Sequence, residues 1–231
     1  GWAVAEEGNI EDAKLIFDKI GNGTSLAQFS QTQKASMLAA FGQYESALNT
    51  IEILEENFNT PSIDARVIKV QLLLKLDRQE KAAEYFSKNF VDSISSDADK
   101  LKLQIENYPN ALSLGTNLSL ESGIAYAFYA IGDILKDEAD PNTALLYVRL
   151  AQYLYQNSEK AILLAAGLLE EMAQYDLAEA EYAKISSSSS YFLTSELGRV
   201  GALRDDGRIE AALEVLYFLS REYSDIGIVH N

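Results

Sequence analysis

Six segments of the chain share one spacing of small, apolar and polar positions. In "GNIEDAKLIF", Gly8 is followed by Ala13 five residues on and Phe17 four further. The same spacing gives Gly42, Ala47 and Ile51 in "GQYESALNTI", and Asp77, Ala82 and Phe86 in "DRQEKAAEYF". It recurs as Ala139, Ala144 and Val148, as Ala173, Ala178 and Tyr182, and as Gly207, Ala212 and Leu216. Four of the five steps between first positions are 34 or 35 residues, and the alanine is present in all six segments. Each segment follows an apolar helical stretch, such as "VIKVQLLLKL" before Asp77. The first position therefore ends one helix, where a left-handed stop favours glycine. The alanine lies in the next helix and lets two backbones approach. The residue four on lies one turn along the same face and supplies a large apolar knob.

A helix–turn–helix unit repeating every 34 residues resembles the tetratricopeptide repeat. The fourth segment carries the closest match to its first-helix pattern. Phe128, Ile131, Gly132 and Leu135 stand where that pattern has Trp, Leu, Gly and Tyr. Pro61 sits near a closing-proline position, and the other segments lack one. The resemblance implies an all-α, right-handed α-α superhelix: a solenoid with repeats 1–3 over 1–90 (the first truncated), repeats 4–6 over 121–220, and a further truncated repeat from 221 to 231. The second half, around "TALLYVRLAQYLYQNSEKAILLAAGLLEEMAQYDLAEAEYAKI", is similar to bacterial tetratricopeptide proteins of unassigned function. The fold is a scaffold and specifies no partner.

The register breaks between Asp77 and Ala139, which are 62 residues apart. The excess falls in 91–120. "DADKLKLQIEN" reads as a short helix with an acidic first turn. "YPNALSLGTNLS", with Pro109 and Gly115, reads as loop, and Ser119 as an N-cap for the helix after it. Leu101, Leu103, Ile105, Leu112, Leu114 and Leu118 give this insert apolar positions to pack. Two readings stay open: the insert fills the superhelical groove, or it is a worn repeat joining two halves. The serine run Ser186–Ser190 keeps the 34-residue step between Ala173 and Gly207, so it reads as an inter-repeat turn, with Ser190 a candidate N-cap.

Charge narrows the partner. The 231 residues carry 35 acids against 19 bases, a net charge of −16. Nucleic acid is an unlikely match for such a field, since phosphate binding needs clustered Lys and Arg. The field favours a protein or peptide partner of basic character. Surface charges further apart than about 8 Å are screened, so the field steers encounter. No apolar run reaches the roughly 18 residues that span a bilayer, so direct membrane insertion is not expected. The chain opens with "GWAVAEEGNI", with Trp2 in mid-helix, and closes on "SREYSDIGIVHN" as a further repeat would begin. It is therefore expected to be a piece of a longer protein, in a bacterial cytoplasm or periplasm.

Candidate chemistry is sparse. There is no cysteine, and the single histidine is His230. Gly21 and Gly23 in "KIGNGTS" are not followed by a lysine-bearing helix start, so they make no phosphate loop. Adjacent acids, Glu170 with Glu171 and Asp205 with Asp206, point to different helix faces. "DEAD" at 137–140 is an inter-helix turn. No catalytic, cofactor-binding or metal-binding residue is assigned, and no cofactor is expected.

The resemblance places the first helix of each repeat on the concave side. That register assigns Tyr126, Tyr129, Asp133 and Lys136 in the fourth repeat, Leu163 and Gly167 in the fifth, and Thr194, Gly201 and Arg204 in the sixth as groove residues. The pair of tyrosines supplies aromatic anchors of the kind hot spots favour. One subclass of the family grips a C-terminal carboxylate with lysines and asparagines. The corresponding positions hold Thr32 and Ser36, Val67 and Gln71, and Tyr129 and Asp133, so that clamp is missing. The helix over 144–155, with Arg149 its only charge, is apolar all round and expected to be buried on several sides, by the chain or by a second subunit. That helix and the solenoid ends are candidate self-association surfaces. The expected function is a non-catalytic scaffold that holds a peptide or protein in the groove. The alternatives are a regulatory or substrate-recruiting region of a larger enzyme and a cell-envelope assembly factor.

Overall fold

A computed structural model describes residues 1–19, 25–90, 96–109, 120–138 and 140–223. Among these residues the chain is all-α, with thirteen helices and no strand. The helices are α1 (Trp2–Glu6), α2 (Ile10–Asp18), α3 (Ser25–Ala40), α4 (Tyr44–Asn57), α5 (Ile63–Lys75), α6 (Gln79–Asn89) and α7 (Ser96–Glu106). They continue as α8 (Leu120–Leu135), α9 (Pro141–Leu154), α10 (Glu159–Glu171), α11 (Tyr175–Tyr182), α12 (Phe192–Asp205) and α13 (Ile209–Glu222). All but α7 form consecutive pairs, each a leading and a trailing helix. The chain divides into two compact units, residues 1–124 and 125–231.

The pairs form because each leading helix ends at a fixed place. Gly8, Gly42, Asp77, Ala173 and Gly207 have φ of 88°, 74°, 57°, 55° and 80°. These are five of the six first positions of the repeat spacing; the sixth, Ala139, lies outside the described residues. At each stop the backbone closes the same double bond. Gly42 N–H donates to Ala39 O at 3.0 Å and Gln43 N–H to Leu38 O at 2.8 Å. Ala173 and Gln174 donate to Glu170 O and Leu169 O, both at 2.8 Å. The residue after the stop is already the N-cap of the trailing helix, as at Asn9, Gln43, Arg78, Gln174 and Arg208. The turn is thus as short as a helix reversal allows.

The six repeat alanines make the packing. Ala13, Ala47, Ala82, Ala144 and Ala178 are fully buried, and Ala212 nearly so. In the fourth pair Gly132 of α8 faces α9 so closely that a Cβ there would lie 2.7 Å from Val148 Cγ2. Phe128 of α8 packs on Tyr147 of α9, with ring centroids 6.3 Å apart.

In the first unit, α3 is buried on almost every side. Ser30, Thr32, Gln33 and Ser36 are all within the buried set. The hydroxyls of Thr32 and Ser36 are satisfied by Gln28 O at 2.8 Å and Thr32 O at 3.1 Å. These two clamp-register positions therefore face packed protein and not a groove, a difference from the sequence register. Trp2 is buried, donates from Nε1 to Gln33 Oε1 at 3.0 Å, and rests its ring on the bare backbone of Gly123 at the start of α8.

Helix α7 stacks on α5 and α6, the place a next leading helix would take. Its Ala98, Leu101, Gln104 and Ile105 are buried, and Gln79 Nε2 of α6 donates to Ile105 O at 2.8 Å. Leu103, expected to pack, is instead 56% exposed on the opposite face. Residues 110–119, with Leu112, Leu114, Gly115, Leu118 and the N-cap assigned to Ser119, lie outside the described residues, as do Gly21, Gly23 and His230.

The serine run is an ordered turn. Ser186 Oγ accepts from Ser188 N at 3.3 Å and Ser189 Oγ from Tyr191 N at 3.0 Å. The N-cap of α12 is Tyr191, without a side-chain cap, so the helix starts one residue later than a Ser190 cap would require. Competing side-chain-to-backbone bonds by serine explain the shift.

Candidate functional site

Leading helices also touch the next leading helix: α3 with α5, α5 with α7, and α10 with α12. Consecutive trailing helices make no comparable contact among the described residues. The leading helices α3, α5 and α7 of the first unit, and α10 and α12 of the second, therefore form contiguous layers.

In α8 of the second unit, Tyr126 and Tyr129 form a tilted pair, centroids 5.9 Å apart at 39°. Tyr129 also packs on the core around Ala144 and Val148. Its ring is held from behind, and both tyrosines are half-buried. One turn on, Lys136 Nζ donates to Asp133 Oδ1 at 2.8 Å, and this bond holds the ammonium above its usual pKa range. Leu163 of α10 is half-buried against Ile162, Ile185 and Tyr191. A Cβ at Gly167 would meet nothing within 4 Å, so bare backbone faces open space there. Thr194 and Arg204 of α12 are exposed, and Arg204 Nε donates to Asp205 Oδ1 at 2.8 Å. The structure thus brings together Tyr126 with Tyr129 and Asp133 with Lys136. Leu163 and Gly167 stand on α10, against which α12 packs. Thr194, on the first turn of α12, is tied to none of the others.

The α10–α12 seam holds a group that the repeat register did not assign. Tyr182, on trailing helix α11, passes its ring against Gly198 of α12, where a Cβ would lie 2.6 Å from ring atom Cε1. Its carbonyl accepts from Ser195 Oγ at 2.7 Å. Through that gap the Tyr182 hydroxyl donates to Glu170 Oε2 at 3.2 Å. Glu170 Oε1 is enclosed and, among the described residues, has no hydrogen-bond partner. Gly201 lies beside it, so that a Cβ there would be 3.6 Å away. Burial raises the Glu170 carboxyl pKa; the Tyr182 bond lowers it only in part, and Asp205 adds to the rise. Burial and the neighbouring carboxylate also push the Tyr182 hydroxyl up. The pattern "SELGRVG" carries the two glycines, and their absent side chains were the available signal.

The opposite, trailing side is built for stability. Glu181 of α11 is 5% exposed and accepts from Arg149, from Lys184 Nζ at 2.7 Å and from Gln152 Nε2 at 3.0 Å. Burial raises its pKa, and the three donors together outweigh that and lower it. Arg149, the lone charge of α9, is therefore an inter-repeat anchor. Ala144, Val148 and Ala151 bury one face of α9, but Leu146, Leu150, Tyr153 and Leu154 are 59%, 38%, 82% and 37% exposed. Among the described residues α9 is not buried on several sides: as a trailing helix it has neighbours beside and beneath it and none of them outside.

Among the described residues no helix is long and apolar enough to cross a membrane. A cleft of about 610 Å³ lies between α2, α3 and α4, lined by Lys14, Gln31, Lys34, Asn49 and Ile53 among others. In it Lys34 Nζ is spent on Asp18 at 2.8 Å.

No family model matches the sequence, and no curated protein matches it. Among solved structures the chain is similar, at 14% identity and a TM-score of 0.42, to the TPR2AB domain of yeast Sti1 in its complex with pHSP90, across 99% of this chain and 90% of that one.

Proposed function

We propose that the chain is a non-catalytic protein-interaction module, and that its second unit holds a peptide or protein segment against the inner face of α8, α10 and α12. The observation that carries this reading is the Tyr126–Tyr129 pair. The two rings are half-buried, Tyr129 is packed on the core, and α10 has open backbone at Gly167. Rigid aromatic rings present contact area at low ordering cost. The equivalent face of α3 in the first unit is closed, with Ser30, Thr32, Gln33 and Ser36 buried. The groove role therefore belongs to Tyr126, Tyr129, Asp133, Lys136, Leu163, Gly167, Thr194 and Arg204. An acidic tail is not the proposed occupant: the face carries Asp133 and Glu170, and the chain has a net charge of −16.

The test uses linear peptides selected from a random display library on the immobilised full chain. Tyr126→Ala with Tyr129→Ala is expected to weaken them about tenfold or more, roughly 1.4 kcal/mol or above, with an unchanged helical circular dichroism signal. Equal affinity in the double variant overturns the groove.

A second reading rests on the α9 stripe of Leu146, Leu150, Tyr153 and Leu154. We propose it as a self-association face, since contiguous exposed apolar residues mark contact surfaces. Light scattering at rising concentration should show dimer for the native chain and monomer for Leu150→Glu with Tyr153→Glu. Monomer throughout removes this reading.

A further inference from the structure

We propose that the inner face of the second unit takes a cationic side chain of its partner, lysine or arginine, onto Glu170 in the α10–α12 seam. This rests on the groove reading above and gives it a chemistry. Glu170 of α10 has one oxygen bonded to the Tyr182 hydroxyl and the other, Oε1, enclosed and, among the described residues, without a donor. An enclosed carboxylate oxygen left unbonded is costly, and the strongest remedy is a charged donor. The chain has a cation nearby and directs it elsewhere: Arg204 bonds Asp205, leaving Glu170 without a cationic hydrogen-bond partner.

The surroundings fit an incoming side chain. Gly167 lies one turn before Glu170 on α10 and opens to space, and Gly201 of α12 keeps the far wall free of a Cβ. As a residue Glu170 is half-buried, and Oε1 turns out of its enclosure to meet the incoming cation. Tyr182, wedged past Gly198, bonds the other oxygen, Oε2, in the unbound chain. The field of a chain with net charge −16 draws a cation to the face. The favourable desolvated pairing of Glu170 with an ammonium or guanidinium also reverses the penalty that burial places on its charged form.

The experiment is a random linear-peptide display selection on four full chains: native, Glu170→Gln, Glu171→Gln and Tyr182→Phe. Glu171→Gln removes the same charge from the exposed neighbour and controls for the general field. Selected native binders are then resynthesised with the enriched basic residue replaced by norleucine. The expected result is enrichment of one Lys or Arg position on the native and Glu171→Gln chains. It should be lost on Glu170→Gln, with an affinity drop of about tenfold matched by the norleucine peptide on native protein. Tyr182→Phe should reduce the preference without removing it. Enrichment that survives on Glu170→Gln, or binders with no basic position whose affinity depends on Tyr126 and Tyr129, overturns the Glu170 inference and leaves the groove standing. No enrichment on any chain overturns both. Melting curves of each variant separate loss of recognition from loss of fold.

Discussion

Ala173→Gly should stabilise the protein, whereas the same substitution at Ala180 should destabilise it. Ala173 sits at φ 55° and closes α10 with its own N–H on Glu170 O and the next one on Leu169 O, both at 2.8 Å. Its methyl is exposed, so its removal sacrifices little packing. An L-residue in the left-handed region costs roughly 1–2 kcal/mol. Glycine's greater freedom in the unfolded chain takes back roughly 0.4–1 kcal/mol. The net gain is about 0.5–1 kcal/mol, which for a chain of this size raises the melting temperature by about 1–4 °C. Ala180 is also exposed but lies inside α11, where glycine costs about 1 kcal/mol. The two variants thus differ in sign by an amount easily measured. Urea unfolding followed by far-ultraviolet circular dichroism is the assay, because the only tryptophan, Trp2, reports on the first unit alone. Asp77→Gly is a poorer probe, since the Tyr108 hydroxyl bonds the Asp77 carboxylate. If Ala173→Gly lowers stability as Ala180→Gly does, the helix stop is not where the 34-residue register puts it.

Two further perturbations address the packing and the charge network. Ala178→Trp should cost at least about 1–3 kcal/mol by overfilling the site between Leu169 and Ala202, read as a lower urea midpoint; an unchanged midpoint counts against the register. Glu181→Gln should cost about 1–3 kcal/mol at neutral pH, less than a fully buried pair because Arg149 and Lys184 are 39% and 50% exposed. The folded pKa of Glu181 lies below the unfolded one, so its contribution is complete above roughly pH 4.5 and is lost as the pH falls through the folded value. Native and variant stabilities should therefore converge in acid; a gap that persists there would place the effect in packing and not in charge.

The helix stops and their alanines were legible because both are local and periodic. A left-handed residue followed by a buried small one recurs at fixed spacing whatever its identity, and so Ala173 and Asp77 fill a glycine's place. The Arg149–Glu181 pair was within reach of the same logic, since its members lie 32 residues apart on neighbouring trailing helices. What periodicity cannot register is how many neighbours a helix has. It cannot show that Thr32 and Ser36 are enclosed, or that α9 has nothing outside it and leaves Tyr153 82% exposed. Glu170 was set aside as one of two adjacent surface acids. Its character depends on Tyr182 reaching it past Gly198, a contact between three helices that no spacing in one of them encodes.

The central claim is that the second unit binds its partner on the inner layer. Hydrogen exchange on the full chain, with and without a selected peptide, reads this most directly, because binding slows exchange where it holds helices closed. Binding on that layer should add protection in α8, α10 and α12, centred on Tyr126–Lys136 and Leu163–Glu170, with little change in α9, α11 and α13. Protection confined to α9, α11 and α13 would place the partner on the outer face and contradict it.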